Sequence, residues 1–537
     1  MMASLGRASA IIGAGTLVSR LTGLLRSVVL VAVLGSYQSR AADAFTTANM
    51  LPTNIYELLA AGVITGIIVP QIVKAAAHTD GGSRFVSKLL TLGSVLLVAS
   101  TVVIMAFAPL LVWLYVPSYT APQQALTLSL AYWCLPQLLF YGLYALIGEV
   151  LNARKVFGPY SWAPTVNNLV SIAGFGVFLA VFGGPTTAVS EWTPVMIALL
   201  GGTATGGIAL QALVLVFFWR RTGLHVRPDF RWRGMGLRHI GTLAWWTFLT
   251  VVVGQLAGLV QSRVVSDASG AAGVTVIVYA WLIFMLPHSI VAMSISTTYF
   301  TRLAELVAAG RRDQVGPNLD ESIRALSVFA FGFMAALAAA SVPLCRVFTI
   351  TTEGAVSMAW VLCAYLVALV PFGVLVIVRR AFFAFQDTRT PFWFSVVQCV
   401  LAAAGALLAA LAVSQGWMPL AFLSATVALT QSLSTFVQLP VALRMLRRHT
   451  GALDLGTTWR ALARFAVAAV PAFAAGWLAF TLLGGVGGWT TADRLWGVVG
   501  AAIVGGVALL VYIGVLAALR APELSVATGA VRRLLRR

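Results

Sequence analysis

The sequence has little charge for its length. Only 9% of its 537 residues are Asp, Glu, Lys or Arg, whereas about 25% is typical of soluble globular proteins. Hydrophobic residues make up 60% of the chain, and the mean hydropathy is +0.93. Apolar runs recur from end to end, and each is long enough to cross a hydrocarbon core of about 30 Å. The shortage of charge excludes an ordinary soluble protein and predicts an all-α polytopic membrane protein.

Residues that carry metal or nucleophilic chemistry are also scarce. The four cysteines lie in or beside apolar runs and show no metal-ligand spacing. The five histidines are scattered, and the sequence contains no Walker A loop, no HExxH and no GxSxG motif. We therefore predict no enzyme activity, no metal site and no cofactor, and we expect no ATP hydrolysis by this chain.

Acidic residues are scarcer than basic ones, 16 against 35, which gives a formal net charge of +19. In a membrane protein such an excess is typical of cytoplasmic loops rather than of nucleic-acid binding. Lysine and arginine fall in alternate loops, at about 74–88, 154–155, 220–239, 302–324, 379–389 and 444–464, and in the C-terminal tail. Both termini are therefore predicted to be cytoplasmic. The first apolar segment is too long, and too interrupted by arginine, for a cleavable signal peptide.

Breaks between the apolar runs predict fourteen transmembrane spans. Their approximate limits are 8–35, 41–75, 86–116, 123–153, 159–183, 193–219, 239–264, 272–301, 322–349, 354–383, 390–414, 418–443, 460–484 and 494–519. Fourteen is even, as two cytoplasmic termini require. Grouped by sixes, the spans predict an N-lobe at 1–222, a C-lobe at 223–450, spans 13 and 14 within 451–520, and a basic cytoplasmic tail at 521–537.

Two features recur at nearly one offset and suggest that the lobes are parallel repeats. The tripeptide MLP occurs at Met50–Pro52 and Met285–Pro287, 235 positions apart, and prolines end polar turns at Pro159 and Pro391, 232 positions apart. Six is even, so both lobes would insert in one orientation, related by an axis along the membrane normal. The prolines of the MLP motifs are predicted hinges beside a central cavity. The alternative is simple packing kinks, because proline is common in membrane helices.

The first two spans contain the densest set of polar groups at membrane depth. These candidate substrate-binding residues are Ser19, Arg20, Arg26, Asp43, Asn54 and Glu57. An arginine at the middle of a bilayer costs about 2.5–3.5 kcal/mol or more, so such residues normally face a cavity or pair with one another. Guanidinium binds phosphate with a planar fork, which favours an anionic, phosphorylated substrate. Gly23, between the two arginines, would permit a bend.

A structural alternative exists for both arginines. Arg26 could extend its side chain toward the outer interface, and Arg20 could pair with Asp43 or Glu57. In that case neither arginine would need a substrate.

Ordered motifs in the chain resemble those of the MurJ/MviN family of lipid II flippases. They are SRLTGLLR at Ser19–Arg26, ADAF at Ala42–Phe45, LPTNIYELLAAG at Leu51–Gly62 and VP at Val69–Pro70. The stretches Leu151–Asn168 and Phe382–Pro391 resemble the family's loops after spans 4 and 10. The resemblance covers spans 1–12.

The resemblance implies the fold of the multidrug and oligosaccharidyl-lipid exporter superfamily. It implies a substrate, lipid II, in which undecaprenyl pyrophosphate carries a disaccharide-pentapeptide, and transport across a bacterial inner membrane by alternating access. Arg20 and Arg26 match the family's first-helix arginines, which are expected to meet the pyrophosphate. Asp387 matches an acid that some relatives use for ion coupling. Membrane lipids and cell-wall synthesis proteins are the other expected partners.

The sequence also departs from the family pattern. Tyr56 and Glu57 stand where many relatives carry a basic pair, Trp281 and Leu282 where many carry an acid and an arginine, and Ala61 where a glutamate is expected. Such replacements suit actinobacterial relatives. Span 7 lacks the carboxylate of a sodium site, and no kinase-like extension is expected, since the chain ends at residue 537.

Two other functions stay open at this point. The first is export of another polyprenyl-linked glycan or an amphipathic molecule. The second is a membrane scaffold for cell-wall enzymes without transport, because a scaffold needs no charge at the middle of the membrane.

Overall fold

A computed structural model describes residues 2–63, 72, 80–231, 237–451 and 456–524 of the chain. Within these ranges, the side chains of 2–11, 61–63, 237–244, 290–294, 296–298 and 312 are not described. The described residues form α-helices joined by short turns and 3₁₀ segments, without a strand. The predicted all-α membrane fold is therefore confirmed.

The chain divides between Ser269 and Gly270 into two compact units. The helices of the first unit are α1 (Met2–Leu34), α2 (Arg40–Val63), α3 (Ser83–Ala106), α4 (Ala108–Tyr115), α5 (Ala121–Cys134), α6 (Gln137–Ala153), α7 (Gly158–Phe182), α8 (Pro194–Phe217) and α9 (Leu237–Val265). Helix α1 packs on α7 and α7 on α8, whereas α2 packs on α5, α6 and α9.

The helices of the second unit follow from Gly270. They are α10 (Val274–Ala308), α11 (Val315–Ala339), α12 (Ser341–Arg346), α13 (Thr352–Leu366), α14 (Leu369–Ala384), α15 (Arg389–Ser414), α16 (Leu423–Thr450), α17 (Gly456–Leu482) and α18 (Arg494–Ala518). Spans 13 and 14, which are α17 and α18, pack on each other and on α11.

The division between Ser269 and Gly270 does not test the predicted lobe boundary at 222/223, which stays a prediction. By its contacts, α9, the predicted span 7, belongs with the helices of the first unit. The lobe boundary at 222/223 was drawn from the parallel repeat and from membrane topology, which the contacts do not report. Most of the predicted tail, 525–537, lies outside the described residues.

Eleven described helical segments are long and apolar enough to cross a membrane, and the pair α13 and α14, bent by 41°, makes a twelfth. Each of the fourteen predicted spans contains a helix. In two of these predicted spans, the second and the eighth, the described helix is not both long and apolar enough to cross a membrane. The predicted second span runs beyond α2 into residues outside the description, and α10 has a shorter apolar part, Val274–Ser289. The chain is a multi-pass membrane protein, and its exact span count stays a prediction.

Small residues let α7 and α8 approach closely. A Cβ on Gly174 would overlap the Thr203 side chain, and one on Gly207 would overlap Asn167. Between membrane helices the hydrophobic effect contributes little, so close packing of small residues is a main source of association. This pairing supplies a rigid support for α1.

The two prolines of the MLP motifs lie inside helices, Pro52 in α2 and Pro287 in α10. Prolines also lie inside other helices, as at Pro164 and Pro440. A proline inside a helix is therefore not special to the MLP motifs, and the hinge role of Pro52 and Pro287 stays a prediction.

The loops after α6 and α14 share a backbone conformation. Lys155 and Gln386 each adopt a left-handed φ, 63° and 58°. In both turns the next N–H bonds back five residues, from Val156 to Leu151 and from Asp387 to Phe382, which is the Schellman end of a helix. The two turns are 231 positions apart. The same helix end also follows α18, at Arg520 and Ala521, so the repeat stays a prediction.

Candidate substrate-binding site

Helix α1 carries three predicted site residues and is fixed to α7 by an asparagine. The Asn168 amide donates to the Ser19 carbonyl oxygen (2.9 Å) and to the Thr22 hydroxyl (3.1 Å). A Cβ on Gly23 would meet that amide nitrogen at 3.4 Å, an ordinary contact, and α1 continues through Gly23 without a break. The structure thus gives this stretch an anchoring role, and hinge bending at Gly23 stays a prediction.

Both arginines of α1 are partly exposed. Six residues on a helix turn by about 240° and rise about 9 Å, so Arg20 and Arg26 do not share one narrow stripe. Arg26 lies within electrostatic range of the Tyr141 hydroxyl on α6. Arg26 therefore lies on the side of α1 nearer to Tyr141.

Asp43 lies in the first turn of α2 and is only 1% exposed. Ser39 caps this helix by accepting a hydrogen bond from the Ala42 N–H (3.0 Å). The Ser269 hydroxyl donates to the Asp43 carboxylate (2.9 Å). Arg20 lies 14 residues before the end of α1, or about 21 Å along the helix, which speaks against a pair with Asp43.

Asp43 belongs to a polar group that joins α2, α5 and the end of α9, and we call it the end cluster. Its members are Asp43, Ser118, Gln123, Asp267 and Ser269. Ser118 donates to the Asp267 carboxylate, and the Gln123 amide donates to the Ser269 hydroxyl (2.8 Å). The cluster lies at the end of the unit opposite its basic turns.

Tyrosines occupy the surface between α2, α6 and α7. The rings of Tyr56 and Tyr141 lie 5.7 Å apart, and those of Tyr144 and Tyr160 stack at 4.8 Å. At Tyr56, where the resemblance implies a basic pair, the structure places an aromatic contact. Sequence reasoning missed this cluster, although four tyrosines within the predicted spans 2, 4 and 5 were a signal for it.

Two further predicted residues of α2 have polar partners in the same unit. The Asn54 amide donates to the Tyr115 hydroxyl (3.4 Å), a long bond, and the exposed Glu57 carboxylate accepts from Gln255 on α9 (2.8 Å). All six predicted binding residues thus lie in the first unit, but Asp43 lies at one end of it. The side chain of Ala61 is outside the description, as is the Val69–Pro70 element.

In the second unit, an aromatic cluster surrounds Trp281. Its ring stacks on Phe284 at 4.9 Å and meets the edges of Tyr365 and Phe372 at 5.2 and 5.9 Å. Leu282 is partly exposed beside it. At Trp281, where the resemblance implies a charged residue, the structure places packed rings.

Asp387 caps α15 rather than standing open to solvent. Its carboxylate accepts from the Thr390 N–H (2.9 Å) and hydroxyl (2.6 Å), and it pairs with His449 at 2.9 Å. Burial acts to raise the pKa of Asp387, but the hydrogen bonds from Thr390 and His449 outweigh it and lower that pKa. These bonds occupy the carboxylate, so they favour a structural role over ion coupling, which stays a prediction.

Sequence comparisons point to one family. The family model described as "Lipid II flippase MurJ" matches residues 30–499. A Haemophilus influenzae protein named "Probable lipid II flippase MurJ" is 26% identical over 412 residues, 72% of this chain and 77% of the relative. A Burkholderia cenocepacia protein named "Lipid II flippase MurJ" is 26% identical over 398 residues, 72% of this chain and 75% of the relative.

Solved structures agree on the fold. A structure titled "Lipid II flippase MurJ, inward closed conformation" matches with a TM-score of 0.71 at 19% identity, and the match covers 94% of this chain and 98% of that one. An inward-facing multidrug resistance MATE family transporter matches with a TM-score of 0.63 at 13% identity, covering 81% and 96%. At these identities the likeness shows the fold.

Proposed function

Because the chain belongs to the MurJ family of lipid II flippases, we propose that it moves lipid II from the cytoplasmic to the outer leaflet of a bacterial inner membrane. One observation carries the proposal most directly. Two arginines of the family motif, Arg20 and Arg26, lie partly exposed on a helix long and apolar enough to span a membrane. A positive charge at membrane depth without a function would only destabilise the inserted protein.

The chemistry of this surface suits the head group of lipid II. Guanidinium groups form charge-assisted, bidentate hydrogen bonds with phosphate oxygens. Arg20 and Arg26 lie about 9 Å apart in height, so together they offer a pyrophosphate two points of contact as it moves along α1. Asn54 and the tyrosines beside Arg26 offer neutral hydrogen-bonding and stacking groups to the sugars. The first unit thus combines two arginines on α1 with aromatic and amide groups near Arg26.

Alternating access is the proposed mode of transport. The end cluster supports a state in which the first unit is closed at the end opposite its basic turns, because Asp43 and Ser269 tie α2 to the segment after α9. Positive-inside placement makes that end the outer one. Opening toward the outer leaflet would then break the end cluster, as one predicted lobe rocks against the other around the arginines.

The function is tested by depletion of the protein from its own host. Loss of the flippase should trap lipid II in the cytoplasmic leaflet, where an externally added lipid II-cleaving toxin cannot reach it. Accumulation of a different polyprenyl-linked glycan would instead support the other exporter. If neither precursor accumulates while cell-wall enzymes lose their location, the chain is a scaffold and the proposal fails.

A further inference from the structure

A buried arginine fixes one end of the second unit. Arg346, the last residue of α12, is 8% exposed. Its guanidinium donates to the carbonyl oxygens of Thr491 (2.9 Å), Thr349 (2.6 Å) and Ala492 (3.0 Å). Three of its five N–H donors are used in this way, and two are left. The group is therefore held rigidly, with donor capacity to spare.

A second arginine stands beside it in an open cavity of about 350 Å³. The cavity is lined by Arg346, Ile350, Asp493, Arg494 and Leu495. Asp493 is the N-cap of α18 and accepts from the Trp496 N–H (2.9 Å). With two arginines and one aspartate, the lining has a formal charge of +1. The start of a helix adds a partial positive charge.

Glycine at the start of α18 makes this arrangement possible. A Cβ on Gly497 would lie 2.8 Å from the Pro343 carbonyl oxygen and 3.3 Å from the Arg346 Cβ. A larger residue would push α18 away from α12 and widen the distance between the two guanidinium groups. The two arginines are therefore brought together by tight packing.

The cavity lies at the end of the unit opposite its basic loops, where arginine is least expected. The residues around it are of the types common at membrane interfaces. Trp489 and Trp496 meet edge to face at 5.2 Å, and Leu495 is 79% exposed. Tryptophan is enriched at the level of lipid head groups. The site thus combines positive charge with an apolar and aromatic border.

We propose that this cavity, here called the Arg346–Arg494 site, binds a phosphate group at the membrane surface. Phosphate is the anion that a pair of guanidinium groups recognises best. The phosphodiester of an anionic lipid fits the border, because Leu495 and the tryptophans would contact its glycerol and upper acyl carbons. A free phosphate ion would use the same two arginines without that border. The site lies in α12 and α18, apart from the arginines of α1.

The test measures lipid binding to the purified full chain in mild detergent by native mass spectrometry. The probes are phosphatidylglycerol, phosphatidylcholine and inorganic phosphate. We expect phosphatidylglycerol to bind Arg494→Gln about tenfold more weakly than wild type, because a charge-assisted hydrogen bond is lost. Arg494→Lys should bind with intermediate affinity. Asp493→Asn, which keeps the cap but removes the negative charge, should bind about two- to fivefold more tightly.

Arg40→Gln is the matched control, since it removes one exposed arginine from the first unit. Binding of inorganic phosphate as well as phosphatidylglycerol would identify the phosphate itself as the ligand. Binding of the lipid alone would identify the head group. Equal binding by wild type, Arg494→Gln and Asp493→Asn would overturn the proposal. So would equal losses in Arg494→Gln and Arg40→Gln, because binding would then depend on net charge only.

Discussion

At the scale of single residues, side-chain partners separate roles that look alike in the sequence. Arg20 and Arg346 are both arginines in or beside apolar helices. Arg346 is buried and held by three backbone carbonyls, whereas Arg20 lies partly exposed on α1. Replacing an arginine that holds the backbone in place should destabilise the fold. Replacing one that binds substrate should remove function and leave the fold intact.

Arg20→Ala is expected to abolish function while leaving the protein inserted and abundant. Arg20→Lys should restore function only in part, because an ammonium group cannot form the bidentate bonds of a guanidinium. The measurement is growth of a strain depleted of the native protein, with membrane abundance followed by immunoblot. Arg460→Ala, at an exposed position near the start of α17, is the control and should support normal growth. Full growth with Arg20→Ala at normal abundance would refute the assignment.

Asp387→Ala should lower thermal stability by removing the side chain that caps α15, a loss of about 1 kcal/mol for such caps. Because the folded-state pKa of Asp387 lies below its ordinary value of 3.8, its stabilisation is complete above that value and is lost as pH falls through the folded-state pKa. The difference in Tm between wild type and variant should therefore be constant near neutral pH and shrink below about pH 4. Loss of sodium-dependent transport with unchanged Tm would favour ion coupling instead.

At the scale of elements, α2 and α9 are the helices whose contact has a functional consequence. Both reach the end cluster, and Glu57 and Gln255 join them again along their length. The bonds of the end cluster are few and lie between loop residues and helix ends, so they can break without unfolding a helix. Such a contact suits a gate.

Cysteines at Ser118 and Asp267 should form a disulfide under oxidation, because these side chains are hydrogen-bonded in this state. Transport should stop on oxidation and return on reduction, since only the outward-open conformation is prevented. A cysteine pair at Ser36, in the turn after α1, and Ser269, after α9, should behave likewise. The single-cysteine variants are the controls. A pair that demonstrably cross-links while transport continues at its full rate would exclude this gate and favour local bending at Gly23 and Pro52.

At the scale of the whole molecule, the charge of the loops decides the orientation in the membrane. Contacts between helices decide how the chain divides into two compact units. Basic turns lie at one end of the helices in each unit, and positive-inside placement makes that end cytoplasmic. Within the described part of the second unit, Arg346 and Arg494 lie at the opposite end, and the Arg346–Arg494 site gives them a role. Orientation and units are separate properties, because one depends on loops and the other on helix packing.

Cysteines placed at Ser118 and Thr187 should be labelled in intact cells by a membrane-impermeant thiol reagent. Cysteines at Lys155 and at Gly234, which lies outside the described residues, should be labelled only after lysis, because these positions belong to basic loops. The measurement is gel-shift labelling before and after permeabilisation. Labelling of Lys155→Cys in intact cells would reverse the topology and, with it, the proposed direction of transport.

The sequence by itself determined the membrane class, the positions of the helices, the two arginines of α1 and the family resemblance. These follow from properties of neighbouring residues, since the length and hydropathy of a run decide whether it can cross a bilayer. Only the tertiary structure decided that Asn168 anchors α1, that Ser269 bonds to Asp43, and that α9 packs in the first unit. It also brought Arg346 beside Arg494, 148 positions later in the chain. Such pairs depend on how helices pack, which is set by side-chain shape across distant segments and leaves no periodic signal in the sequence.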